Sequence, residues 1–278
     1  MNNTYINIKT NALDNVKVPT RETLKTFLSN RTIISVKDFG AKGDSTTDDT
    51  TAFKNALASD SYSIYVPQGT YNLSEELLLD DAKTLIFATE DTILNFTQTI
   101  GNAISMKMSA NIRGHHGTIV VPYEFSGNVI NIVSSLDDNA TNVPPWTKWD
   151  PQWKTARYIT DLNITKHDSR GFHYSIDGTC YGNAIYCECN ENNGVSTFIW
   201  GLNFSGIRIA GAFNYGVYFK NLDSAWNHDL RCEVIMDACK IGVCLDNCNN
   251  AYIDATIQPR WSYSCFNNSS LLFVPSKK

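Results

Sequence analysis

The chain has 278 residues, 42% of them hydrophobic, with 28 acidic against 23 basic side chains and a formal net charge of −5. That length supports a sizeable core in one domain or two small ones, and mild acidity with no basic block argues against nucleic acid as the main partner. No apolar run approaches the roughly 20 residues that span a bilayer, and the N-terminal MNNTYINIKTNALDN has no apolar h-region, so neither membrane insertion nor a signal peptide is expected.

Residues 1–32 are polar, with one modest helical spacing at Leu24, Phe27 and Leu28, and read as an arm outside the main core that serves for attachment to a partner. From Ile33 the texture changes to short runs of Ile, Val, Tyr and Phe punctuated by Gly, Asn and Asp, which is strand chemistry separated by turns. The exception is Thr50–Ala58, where Ala52, Phe53, Ala56 and Leu57 fall on one stripe and Asp48 or Asp49 is placed to cap the first turn. Before it, Gly40 and Gly43 permit a tight turn, and Asp44, Asp48 and Asp49 are expected to bind local amides. The DxDG spacing of a calcium loop is absent there, and no metal or cofactor is expected. The eight cysteines form no CxxC pair and read as reduced, packed thiols.

A repeat organises the rest. GNAISMKM from Gly101, GNVINIVS from Gly127, GNAIYCEC from Gly182, YGVYFKN from Tyr215 and IGVCLDN from Ile241 align on Ile104, Ile130, Ile185, Val217 and Val243. The gaps between anchors are 26, 55, 32 and 26 residues, with the 55 read as close to two periods. A second strand follows most anchors, near Ile112, Leu162, Ile207, Leu230 and Ile253. About two short strands per period suits a β-helix coil better than a propeller blade of ~40–45 residues. Alternation then predicts two inward rows, the five anchors and Met106, Ile132, Cys187, Phe219 and Leu245. Two rows face outward: Ser105, Asn131, Tyr186, Tyr218 and Cys244, and Lys107, Val133, Glu188, Lys220 and Asp246. Asn221 and Asn247 also align as an amide rung, and His115-His116 reads as a strand pair facing opposite ways.

VKDFGAKGDSTTDDTTAFKNAL, followed by IYVPQGTYNLSEEL, resembles the N-terminal entry signature of the pectate-lyase-like right-handed parallel β-helix superfamily, in the version found in bacteriophage tailspikes and appendage depolymerases. Ser45 departs from the signature, which more usually carries glycine there. The resemblance implies an all-β, single-stranded right-handed parallel β-helix over residues 33–278, pectin-lyase-like, with a short N-terminal capping helix laying Phe53, Ala56 and Leu57 over the open end of the tube. It also implies carbohydrate binding, often with polysaccharide cleavage, a homotrimer, and a place in the virion tail, made in the host cytoplasm. The chain stops soon after the last recognisable coil, at CFNNSSLLFVPSKK, so truncation at the C-terminal end and a short complete scaffold both remain open.

The resemblance does not locate an active site, and the residues offer three regions. Asp223, Asp229, Glu233, Asp237 and Asp246 lie within about one period and are candidates for the two carboxyls that glycoside hydrolysis requires. Trp146, Trp149 and Trp153 sit in a Pro-rich excursion between Ser135 and Tyr158, suited to stacking on sugar faces or to a subunit contact. His167, Arg170 and His173 could act on a uronic acid, a base removing the proton beside the carboxylate while Arg neutralises it. Tyr186 and Tyr218 on the outward row are further sugar-binding candidates. The expected function is a tail appendage that binds bacterial surface polysaccharide and depolymerises it. Other virion tail proteins would be held through the arm; a non-catalytic fibre or adhesin is the alternative.

Overall fold

The computed structural model describes residues 33–80, 83–107, 110–134, 158–167, 179–189, 191–192, 195–196, 202–220, 230–246, 251–258, 263–267 and 271–273. The arm, the three-Trp excursion, Asp223, Asp229, Arg170, His173, Asn221 and Asn247 lie outside them.

The chain winds into coils whose strands pair in parallel with the same strand of the next coil, so the sheets run along the tube. One sheet has seven strands, from Leu77–Leu79 through Asn102–Met106, Asn128–Ser134, Asn183–Cys189, Tyr215–Lys220 and Ile241–Asp246 to Tyr263–Asn267. We call it the anchor sheet. The anchors stack in register on it, Ile104 on Ile130, Ile185, Val217 and Val243 in turn. Both predicted inward rows are buried to within 2% exposure, so period-two alternation places every one of those ten side chains in the tube interior. Ile130 pairs directly with Ile185, so the 55-residue gap is one coil carrying an excursion, not two coils.

The strand count also differs from two per coil. Early coils have three: Thr84–Phe87, Thr92–Phe96 and Asn102–Met106 make one complete turn. The corner between the first two strands is Gly114–Gly117 in the next coil and only Asp161-Leu162 in the one after. At Asn203–Ala210 it shrinks to a bend, with Gly206 at φ +66° and a register shift between Phe204 and Ile207. One half of that strand pairs with Tyr158–Thr160 and the other with Asn163–His167, merging two sheets into a single 14-stranded one. His115 and His116 belong to this corner series, in a turn at φ +44° and +65°, and not to a strand.

The Gly-Asn that opens three repeats has a packing reason. A Cβ on Gly127 would lie 1.4 Å from the Gly101 carbonyl oxygen, so successive coils meet backbone to backbone there. The asparagines that follow form an amide ladder: Asn183 Nδ2 donates to Asn128 Oδ1 at 2.7 Å, and Asn128 Nδ2 to Asn102 Oδ1 at 3.2 Å.

The entry segment is structural. Helix Thr50–Leu57 buries Ala52, Phe53, Ala56 and Leu57, with the Phe53 ring edge-on to Tyr71 at 5.3 Å. Burial, followed by the nearby Asp49 charge, pushes the Tyr71 phenol up to about 12. Asp49 sits at the N-cap position, yet its carboxylate accepts from the amides of Lys42 (2.6 Å) and Gly43 (3.0 Å) and closes the preceding loop. Asp48 takes the capping role, accepting from the Thr50 amide at 3.0 Å and from Ser74 Oγ at 2.6 Å. Asp44 accepts from the amides of Thr46 and Thr47, and these bonds hold its carboxyl well below the usual range. Ser45 adopts φ +63°, the conformation that explains why glycine is usual at that position. Cys187, Cys232, Cys239 and Cys244 are buried and unbridged. Cys244, expected on the outer face, is instead covered, at 3% exposure.

Candidate functional site

The outer face of the anchor sheet gathers the chemistry. Its polar rows follow the tube: Asn102, Asn128 and Asn183 align with Tyr215 on the next coil, and Ser105 and Asn131 align with Tyr186 and then Tyr218. A third row is Glu188, Lys220 and Asp246. Along the first two rows, amides and hydroxyls on the earlier coils therefore give way to aromatic rings on the later ones.

The three tyrosines form one cluster. Tyr215 stacks on Tyr218 at 4.6 Å between centroids, and Tyr186 meets Tyr218 edge-on at 5.4 Å. The hydroxyls of Tyr186 and Tyr218 are directed into the charged row: Tyr186 Oη donates to Glu188 Oε2 at 2.7 Å and Tyr218 Oη to Asp246 Oδ2 at 3.4 Å. Lys220 Nζ lies 2.8 Å from Glu188 Oε1. Burial pushes both phenols up, reinforced by Glu188 for Tyr186 and by Asp246 for Tyr218, so both remain protonated donors at neutral pH. Opposite charges on adjacent rungs, as Glu188 and Lys220 are, stabilise the pairing. Glu188 and Asp246 are two rungs apart, about 9–10 Å at the backbone given ~4.8 Å per rung.

Residues 33–253 match the family model described as rhamnogalacturonase A/epimerase, pectate lyase-like. The chain belongs to that family. Among curated relatives, this pectate-lyase-like chain is 32% identical over 97 residues to the preneck appendage protein of Bacillus phage PZA, covering 34% of this chain and 11% of that protein. It is 24% identical over 161 residues to the pre-neck appendage protein of Bacillus phage B103, covering 55% and 16%. It thus spans a small part of the length of the relatives it matches. Similar solved structures include ORF18 of Geobacillus virus E2, at 15% identity and TM-score 0.31 over 96% of this chain and 64% of that one. Tailspike protein 3 of bacteriophage CBA120 matches at 11% identity and TM-score 0.27, over 92% and 59%.

The structure separates the candidate carboxylates that it describes. Asp246 is on the tyrosine face, whereas Glu233 and Asp237 are on Leu230–Asp237 in the 14-stranded sheet. There Glu233 accepts from Ser205 Oγ at 3.1 Å, lies 3.9 Å from Arg231, and stands in register with Asp254. His167 is exposed at the end of Asn163–His167, in register with Pro122, on a different sheet from Tyr186 and Tyr218.

Three members of the cluster are not singled out as site residues by the sequence: Tyr215, Glu188 and Lys220. Glu188 and Lys220 are legible there as an alternating outward row, and Tyr215 as the residue that replaces the repeated asparagine. Lys166 opens the sequence stretch that holds His167, Arg170 and His173 but is not singled out there either. It occupies an inward position two residues after Ile164, is fully buried, and donates to the carbonyls of Tyr123 (3.2 Å), Phe125 (2.7 Å) and Tyr181 (2.6 Å). Its parity in NITKH is the available signal.

Proposed function

We propose that this chain serves in a bacteriophage tail appendage or tailspike, binds a polysaccharide of the host surface on the outer face of its anchor sheet, and depolymerises it. The observation that carries the reading is the in-register cluster of Tyr186, Tyr215 and Tyr218 with Glu188, Lys220 and Asp246. Half-buried aromatic rings beside fixed hydrogen-bonding groups suit sugar rings, which offer an apolar face and a rim of hydroxyls. The kinship with phage appendage proteins supports the virion setting, with residues 1–32 proposed to contact other tail proteins and the chain proposed to act as a homotrimer.

For cleavage, Glu188 and Asp246 are the carboxylates beside the tyrosines; their backbones stand two rungs apart, about 9–10 Å at ~4.8 Å per rung, close to the roughly 6.5–9.5 Å between carboxyls that inverting hydrolysis uses. A second reading, a rigid fibre that binds without cutting, is favoured by a different observation: both carboxylates already accept a phenol hydrogen bond. Incubation with bacterial surface and capsular polysaccharides decides between them. New reducing ends without unsaturated uronate support hydrolysis on this face. Reducing ends with unsaturated uronate would show a lyase and shift attention to His167, Arg170 and His173. Retention of polymer with no product supports the fibre, and neither retention nor product would overturn the proposal.

A further inference from the structure

The outer face of the anchor sheet has a charge distribution that selects among polysaccharides. Among its described residues, those whose contacts place them on the face are the carboxylates Glu76, Asp80, Glu188 and Asp246 and the cations Lys107 and Lys220, with the exposed Lys240 flanking it beside Ile241. Lys107 and Lys220 are each paired with a carboxylate of the same face: Lys107 Nζ lies 3.1 Å from Asp80 Oδ1, and Lys220 Nζ 2.8 Å from Glu188 Oε1. The surplus is negative, and it brackets the face. Glu76 stands at the amide end, accepting from Ser105 Oγ and from Asn102 Nδ2, and Asp246 stands beyond the tyrosines. Between them, among the described residues, lie neutral groups (Asn102, Asn128, Asn131 and Asn183, then the three tyrosines) and the two charge pairs, Lys107–Asp80 at the amide end and Lys220–Glu188 beside the tyrosines.

We infer that the polymer bound here is uncharged, built of neutral hexoses or N-acetylhexosamines, and that it lies along the tube axis across the amide ladder and the tyrosines. This rests on the reading of the face as a polysaccharide site. An anionic polymer would need a surplus of Arg or Lys to pair its carboxylates or phosphates, and it would meet Glu76 and Asp246 as like charges. An uncharged sugar needs what the face provides: carboxylate and amide oxygens to accept from its hydroxyls, amide N–H groups to donate to them, and aromatic surface for its apolar side. The direction follows from the rows, since both the asparagine ladder and the Ser105–Asn131–Tyr186–Tyr218 row run from coil to coil.

The test immobilises the full chain. Retention is measured for bacterial cell-wall and capsular polysaccharides in three groups: uncharged hexosans and N-acetylhexosamine polymers, uronate polymers, and phosphodiester-linked polymers. Each binder is then titrated with salt up to roughly 0.5 M, where exposed charges are screened within a few ångströms. The expected result is retention confined to uncharged polymers, with affinity changing by about twofold or less across the salt range. Retention of uronate or phosphodiester polymers, falling tenfold or more as salt rises (about 1.4 kcal/mol or greater), overturns this inference and leaves the proposed function standing. Retention of no polymer removes the proposed function and this inference together.

Discussion

Replacing Lys166 by Met keeps the aliphatic stem and removes three hydrogen-bond donors from the inside of the tube. The ammonium has three N–H groups, and the structure gives it three acceptors, the carbonyls of Tyr123, Phe125 and Tyr181, at 2.6–3.2 Å. Its Nζ also lies 4.8 Å from the Phe213 ring centroid, so one side chain ties together turns of three successive coils. Without it the Phe125 carbonyl, inside the core, is orphaned at a cost of about 1–3 kcal/mol, and the two partly buried carbonyls lose less because water reaches them. Relief of the buried charge offsets some of this. The expected net loss is about 2–4 kcal/mol, read as a lower urea midpoint at unchanged m-value. The pH dependence gives an independent check. Burial holds the Lys166 ammonium down to about 7, against about 10.4 in an unfolded chain. Between those values the unfolded chain binds more protons, so stability contributed by this group rises with pH from about 7 to about 10. The three carbonyls, which favour the charged form, make the rise smaller than the full shift implies. Subtracting the Lys166→Met curve from wild type isolates it. A variant within about 0.5 kcal/mol of wild type, or more stable than it, would refute the reasoning.

Gly127→Ala forces a Cβ to 1.4 Å from the Gly101 carbonyl oxygen, so the coils must separate; a loss above about 3 kcal/mol, or failure to fold, is expected in thermal melts. Ser45→Gly relieves a left-handed backbone at φ +63° and should raise stability by roughly 0.5–1 kcal/mol, seen as a higher melting temperature. Asp48 has its carboxyl lowered chiefly by the Ser74 hydroxyl and then by Thr50, so its stabilising effect is complete above about pH 4 and is lost as pH falls through the lowered value. Asp48→Asn should therefore flatten the acid limb of a stability–pH curve while costing about 1 kcal/mol near neutrality.

The fold is legible because a tube repeats its constraints. The anchors Ile104 to Val243 recur at one position per coil, and period two then assigns both faces of the anchor sheet. What escapes is the path around the rest of each coil. The strands Asn111–Arg113 and Tyr158–Thr160 are three residues long, too short to show alternation. The corner between sheets varies from Gly114–Gly117 to the single bend at Gly206, so no spacing recurs. The 55-residue gap misleads because one coil with an excursion has nearly the length of two. The site is half legible for a related reason. Alternation places Tyr186, Tyr218, Glu188, Lys220 and Asp246 outward, but grouping carboxylates by sequence distance joins Glu233 and Asp237 to Asp246. A coil of the tube carries neighbours in sequence onto different faces, whereas neighbours in space are a whole coil apart.

The central claim is that the tyrosine cluster is a polysaccharide site, and paired binding curves test it most directly. Wild type and Tyr218→Ala are compared, with Tyr252→Ala on the 14-stranded sheet as a control for general surface change. Tyr218 touches both other rings of the cluster, so its loss should weaken binding of the retained polymer by ten- to a hundredfold, about 1.4–2.7 kcal/mol, while Tyr252→Ala binds as wild type. Unchanged affinity in Tyr218→Ala, with the fold intact, would contradict the account and place the binding surface elsewhere on the tube.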